Sequence, residues 1–310
     1  MRQLIRTTTI AMAAAATLIA APSAGAVAAP TTSIAVAEGL DVTIGGWAEG
    51  SAILPDGDIL VSNLTRHLVQ RIDSQTHEVT TVAEVADPSQ MVVDGDTLYV
   101  VTGNSPASVL TRKGGVDAIN LTTGARRNVT TGMGEANGMA RLPDGDLVVS
   151  VTLGSDAGVH RVDPQTGERR RLTSSIATPN GVAVGPQGQV YIASTLLGAV
   201  FRVDPSTGAA QRVAGVSTSL DDFAVRSDGT IVGATTLGFI DEFDPATGRS
   251  RMLLSGYVGG TAVRLISDDR AVVTTATGRV VVVDLPGGAT PPAKGEARRV
   301  SRARAGRSCA

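Results

Sequence analysis

The chain has 310 residues, 42% hydrophobic but only 3% aromatic, with 27 lysines and arginines against 29 aspartates and glutamates. That is enough apolar material for a large core, and a length that one all-β domain can fill. The only cysteine, Cys309, lies at the end of the chain, which excludes an internal disulfide, a cysteine-built zinc site and a buried cysteine nucleophile.

The first element is a leader. Arg2 and Arg6 precede the apolar run TTTIAMAAAATLIAA, which is followed by the small-residue sites Ala24-Gly25-Ala26 and Ala26-Val27-Ala28. This predicts a secretory signal peptide over residues 1–28 and an extracellular mature protein. The run is shorter than the ~20 residues a span requires, so no membrane span is expected after cleavage.

A repeat then occupies residues 31–286. Its cleanest copy, TPNGVAVGPQGQVYIASTLLGAVFRVDPSTG, runs from Thr178 to Gly208: a polar leader, an apolar run, a tight turn, a β-rich run, a loop, another β run and a second turn. Six leaders align at spacings of 40 to 47 residues: Glu49, Gln90, Asn137, Asn180, Asp221 and Thr261. Five copies align without a gap, as EGSAILPDG, NGMARLPDG, NGVAVGPQG, DDFAVRSDG and TAVRLISDD, and the Gln90 copy is shorter before its turn. The second turn recurs as DSQTH, NLTTG, DPQTG, DPSTG and DPATG, where a final glycine supplies positive φ. Four short strands per repeat of this length predict an all-β, six-bladed β-propeller. A β-helix would need shorter coils, and a sandwich gives no reason for a fixed polar leader. The sixth copy has only three strands, so the N-terminal segment Thr32 to Gly39, TSIAVAEG, is expected to complete the last blade and close the ring.

Residues 287–310 form a basic tail, with Lys294, Arg298, Arg299, Arg302, Arg304 and Arg307 against Glu296, and its composition predicts disorder. Without leader and tail, 19 basic residues face 28 acidic ones, which argues against nucleic acid as partner. A small-molecule substrate is the expected partner, and the oligomeric state is open.

In a propeller the leaders converge at one mouth of the central channel. All six carry oxygen, and two are carboxylates, a donor set that suits Ca²⁺ or, less readily, Mg²⁺. Asn and Asp before Gly also serve as ordinary turn formers. Turn chemistry accounts less well for Glu49 and Asp221 falling in one register.

The phased set Glu49, Asn137, Asn180 and Asp221 resembles the calcium site of the senescence-marker-protein-30/gluconolactonase family of six-bladed propellers. The resemblance covers about Gly46 to Asp284. Glu49-Gly50 matches the family's leading Glu-Gly, with Ser51 where it has proline; Pro179-Asn180-Gly181 matches its Pro-Asn-Gly; Asn137-Gly138 and Asp221 match its other Asn and its closing Asp. It implies a metal-dependent hydrolase of a lactone or other ester, or of a phosphotriester, with Asp221 as metal ligand and base or nucleophile. The arginine by which sugar lactonases of the family contact the sugar acid is replaced by Glu135, which argues against aldonolactones. Gln90, Thr261 and Asp222 are expected to line the substrate, together with Asn63, His67 and Arg112 on mouth-side loops. The loop Gly103 to Gly115 is the candidate lid. Two alternatives stand beside the hydrolase: a non-catalytic propeller that binds a ligand or partner around a structural calcium, and a lyase, isomerase or condensing enzyme of the strictosidine-synthase type.

Overall fold

The computed structural model describes residues 36, 38–216 and 219–287. The predicted leader and basic tail lie outside the described residues.

Twenty-four strands among the described residues form six four-stranded antiparallel sheets. Five sheets are made of consecutive strands, as a meander of hairpins dictates. The innermost strands of blades one to six are Ala48–Ile53, Met91–Asp94, Glu135–Arg141, Pro179–Val184, Leu220–Val225 and Gly260–Ser267. Each sheet alone exposes two apolar faces. The core is therefore divided into clusters that each lie between two blades, such as Leu142, Val148 and Val159 of blade three packed with Val182, Val190 and Ile192 of blade four.

Blade six is the exception in chain order. Its outermost strand is Asp41–Thr43, antiparallel to Arg279–Asp284, and Arg279 clamps it with two bonds to the Asp41 carboxylate at 2.8 and 2.7 Å. The segment expected in this place, Thr32 to Gly39, lies mainly outside the described residues. Its described members Val36, Glu38 and Gly39 are not in a strand. Val36 and Leu40 are instead buried in the apolar cluster between blades six and one, so hydrophobic anchoring precedes the pairing strand.

The second turns behave as their sequence requires. Asp73, Asn120, Asp163, Asp204 and Asp244 each accept hydrogen bonds from the backbone N–H groups two and three residues on. The turn ends in the left-handed region, at Gly124, Gly167, Gly208 and Gly248 but at His77 in blade one.

Candidate functional site

Five of the six leaders do not sit in loops. Glu49, Asn137, Asn180, Asp221 and Thr261 lie inside the innermost strands, each at a one-residue shift in the pairing with the second strand. Blade two does the same with Ser89 and Gln90, both bonded to Val101. A bulge bends its strand and re-aims a side chain, so a device repeated around the ring turns the leaders toward the axis. The glycine after a leader is therefore not a turn residue. A Cβ on Gly138 would stand 2.2 Å from the Asn180 carbonyl oxygen, and one on Gly181 2.7 Å from that of Asp221. Only glycine lets one blade's leader reach the backbone of the next. The bulged N–H groups are answered by second-strand hydroxyls: Gly50 N donates to Ser62 Oγ at 2.7 Å and Gly138 N to Ser150 Oγ at 2.8 Å.

Glu49, Asn137, Asn180 and Asp221 are all buried, at 5 to 8% exposure. Both Glu49 oxygens are held, by Trp47 Nε1–H at 2.6 Å and Asn104 Nδ2–H at 2.9 Å. Asn137 donates to the Asn104 Oδ1 at 3.4 Å. Asn180 Nδ2 donates to Asp221 Oδ1 at 2.7 Å, and Asp221 Oδ2 receives no hydrogen bond among the described residues.

Beside Asp221 the channel is plugged. Arg264 donates to Asp222 Oδ2 at 2.7 Å, to the Ser51 carbonyl at 3.1 Å and to Gln90 Oε1, while Gln90 Nε2 donates to the same Asp222 oxygen at 2.9 Å. The other Asp222 oxygen is buried without a partner. Arg264 stands three residues after its leader, where four other copies have Ala52, Ala140, Ala183 and Ala224. The alanines leave the room that the arginine fills.

Asp222 thus has a counter-charge, whereas Glu49 and Asp221 have none among the described residues. Burial raises the Glu49 carboxyl to about 7, against the lowering effect of its Trp47 and Asn104 bonds and with a further push from Asp222 and Glu135. Burial, then the charges of Glu49 and Asp222, hold the Asp221 carboxyl well above the usual range. A hard cation would relieve this. No group of three His, Cys, Asp or Glu among the described residues could hold a metal. A cation at this ring would therefore draw on the carboxamide oxygens of Asn137 and Asn180 as well, and the all-oxygen donor set fits one.

Other expected site residues lie elsewhere. Asn63 is fully buried, accepting from Arg66 N and donating to Gln70, so it holds its loop and does not line the mouth. Thr261 is buried with its hydroxyl donating to the Ala48 carbonyl at 2.6 Å, a bond between blades. Gln90 and Asp222 line the channel but are sealed in the plug. His67 is exposed at the outer side of blades one and two, paired with Asp87 at 3.2 Å. Arg112 caps the short helix Pro106–Thr111 that the lid loop contains, and its guanidinium donates to the Gly132 carbonyl. Trp47, Asn104 and Arg264 belong to the site and were missed. For Arg264 the signal was in the sequence, as the one charge at a position otherwise mostly alanine.

A family model described as outer membrane protein assembly factor BamB matches residues 74–213, less than half of the chain. No curated protein sequence matches. Among solved structures, the fold is similar to a gluconolactonase from Xanthomonas campestris, at 16% identity and a TM-score of 0.66, covering 81% of this chain and 91% of that one. It is also similar to regucalcin from Agrobacterium tumefaciens, described as a calcium-binding protein, at 17% identity and a TM-score of 0.63, covering 79% and 92%. A third is virginiamycin B lyase from Staphylococcus aureus, in a catalytically inactive variant with alanine for a histidine, at 12% identity and a TM-score of 0.56, covering 80% and 87%.

Proposed function

We propose that the protein is an exported, divalent-cation-dependent hydrolase that acts on a lactone or other ester, phosphotriesters included, at the leader end of the channel. One observation carries the reading: two carboxylates, Glu49 and Asp221, are buried with no counter-charge and with two carboxamides in the same register. Two structural neighbours named as a gluconolactonase and a calcium-binding protein support it.

Glu49, Asn137, Asn180 and Asp221 would hold Ca²⁺ or, less readily, Mg²⁺. When bound, such a cation polarises a carbonyl or phosphoryl oxygen. The residues divide the remaining work. Glu49, bonded through both oxygens, would serve as a fixed ligand. Asp221 is bonded through one oxygen and keeps the other for a proton from water or for attack on the electrophile. Asp222, tied to Arg264 and Gln90, positions its neighbour. The alternative of a lyase is weaker, because the lyase neighbour is inactive when one histidine is replaced, and none of the three histidines here borders the leaders. His67 lies outside, His77 in an opposite turn, and His160 is buried within blade three with Nε2 on the Asp156 carbonyl.

Calorimetric calcium titration together with a chelator-controlled panel of lactones, aryl esters and phosphotriesters tests the reading. Expected are one calcium site weakened by Asn180→Ala, and chelator-sensitive turnover that Asp221→Asn lowers by roughly 10² in kcat. Calcium binding without turnover of any substrate would leave a binding propeller, and no calcium heat would remove the metal.

A further inference from the structure

In an antiparallel ring the loops from second to third strands, and from each blade to the next, emerge at the leader end. The turns within hairpins one-two and three-four emerge at the other. Among the described residues the exposed large hydrophobics are Trp47, Leu110, Leu153, Leu196, Leu197, Leu237, Val258 and Met252. All but Met252, which lies on an outer strand, are at the leader end, Leu153 as the last residue of its strand and Leu110 on the short helix Pro106–Thr111. Leu110 is 88% exposed and Leu196 69%. The opposite end carries exposed aspartates from every blade, among them Asp56, Asp96, Asp144, Asp204, Asp228 and Asp269, interspersed with exposed arginines such as Arg126, Arg141, Arg170 and Arg249. At the leader end Glu84, the last residue of its strand, is exposed and Asp87, Glu135 and Asp156 are half-buried, set against the exposed cations Arg66, Arg112 and Lys113.

We propose that the leader end docks on an anionic lipid surface, with these loop tips entering the hydrocarbon boundary. The apolar tips come from blades two to six, with Trp47 at the entry to blade one, and surround the channel mouth. One small ligand cannot touch them all, whereas a plane meets them together. A protein partner would call for a continuous packed patch with aromatic and arginine anchors. Scattered aliphatic tips need no matching partner in a fluid acyl phase. Cations beside Leu110, at an end where Glu84 is the exposed acid, turn that end toward an anionic surface. Among the described residues no helix is long and apolar enough to cross a membrane, so the contact is peripheral. Docked in this way, the leaders face the lipid.

Flotation of the chain from Ala29 onward with phosphatidylcholine vesicles containing phosphatidylserine tests this. The expected result is co-flotation that falls with added salt and drops roughly tenfold or more in L196S/L197S, the scale of withdrawing two leucines from hydrocarbon. Met252→Ser should leave it unchanged. Absence of flotation overturns the proposal. So does flotation undiminished in L196S/L197S, which would assign binding to the basic tail. Self-association that depends on Leu196 and Leu197, with no flotation, would assign the face to a second copy of the chain.

Discussion

The two ends of the ring are built from the same strands but by different rules. At the far end, hydrogen-bonded aspartate or asparagine turns recur in five blades, and each turn solves its own problem: a side chain caps two N–H groups and a glycine, or His77 in blade one, takes the left-handed residue. At the leader end no blade is complete alone. Gly138 is needed for the Asn180 backbone, Ser150 Oγ donates to the Asn180 carbonyl, and Asn104 of blade two reaches Glu49 of blade one. The difference teaches that local chemistry is repeatable and cheap, whereas chemistry shared between blades is specific and carries uncompensated charge.

Glycine exchange should break this comparison most sharply. Gly138→Ala is expected to cost about 3 kcal/mol, because its Cβ meets backbone oxygen of the next blade. Gly124→Ala, with nothing within 4 Å, should cost only about 1 kcal/mol for its positive φ. Urea unfolding of both variants measures the contrast, and equal losses would deny that the leader-end glycines are set by their neighbours.

Charge removal should give opposite signs at the two ends. In chelator at neutral pH, Asp221→Asn should stabilise the protein by about 1–2 kcal/mol, since it removes a carboxyl that ionises freely in the unfolded chain but is held against ionisation by burial and by Glu49 and Asp222 in the fold. Asp244→Asn should weaken the protein, because the Thr247 hydroxyl and then the backbone N–H groups hold that carboxyl below its usual range. Stabilisation by both substitutions would mean that general acidity, not site strain, sets the balance. His77→Gly tests the far end from the other side. It should raise stability by about 1 kcal/mol by relieving the one non-glycine residue at the left-handed turn position, read as a shift in the unfolding midpoint.

The smallest effect concerns His160, inside blade three. Burial lowers its pKa, and its Nδ1 has no partner to receive a second proton. The unfolded chain therefore binds more protons just below pH about 6.5. The stability this histidine contributes is complete above that pH and lost as pH falls through the window beneath it. Denaturation midpoints of His160→Gln should be flatter than wild type over that window, and parallel curves would show that His160 does not titrate there.

The six blades were legible because a fixed spacing recurs whatever the local residues do. The bulges were not, since Asn137-Gly138 and Asn180-Gly181 read equally well as turns; what decides between them is the next blade's backbone, 40 or more residues away in the chain. Asn63 and Thr261 were assigned to the mouth by position alone, and both proved to spend their polar atoms inside the protein. Asn104 and Trp47 stand outside the aligned positions, so no second copy marked them. The closing strand was sought where TSIAVAEG looks like the outer strands of other blades; the pairing strand is Asp41–Thr43, where Arg279 finds its carboxylate.

That seam fixes an order of assembly. Five blades are contiguous in the chain, so each can pair within its own span of sequence. The sixth joins Asp41 to Val281 and must wait until almost the whole chain exists. Until then an early segment stays unmatched while the rest of the sheets form around it. The covalent break in the ring sits within a blade, and a permuted gene that opened at Gly46 and carried Asp41–Thr43 after Asp284 would make all six blades from consecutive strands.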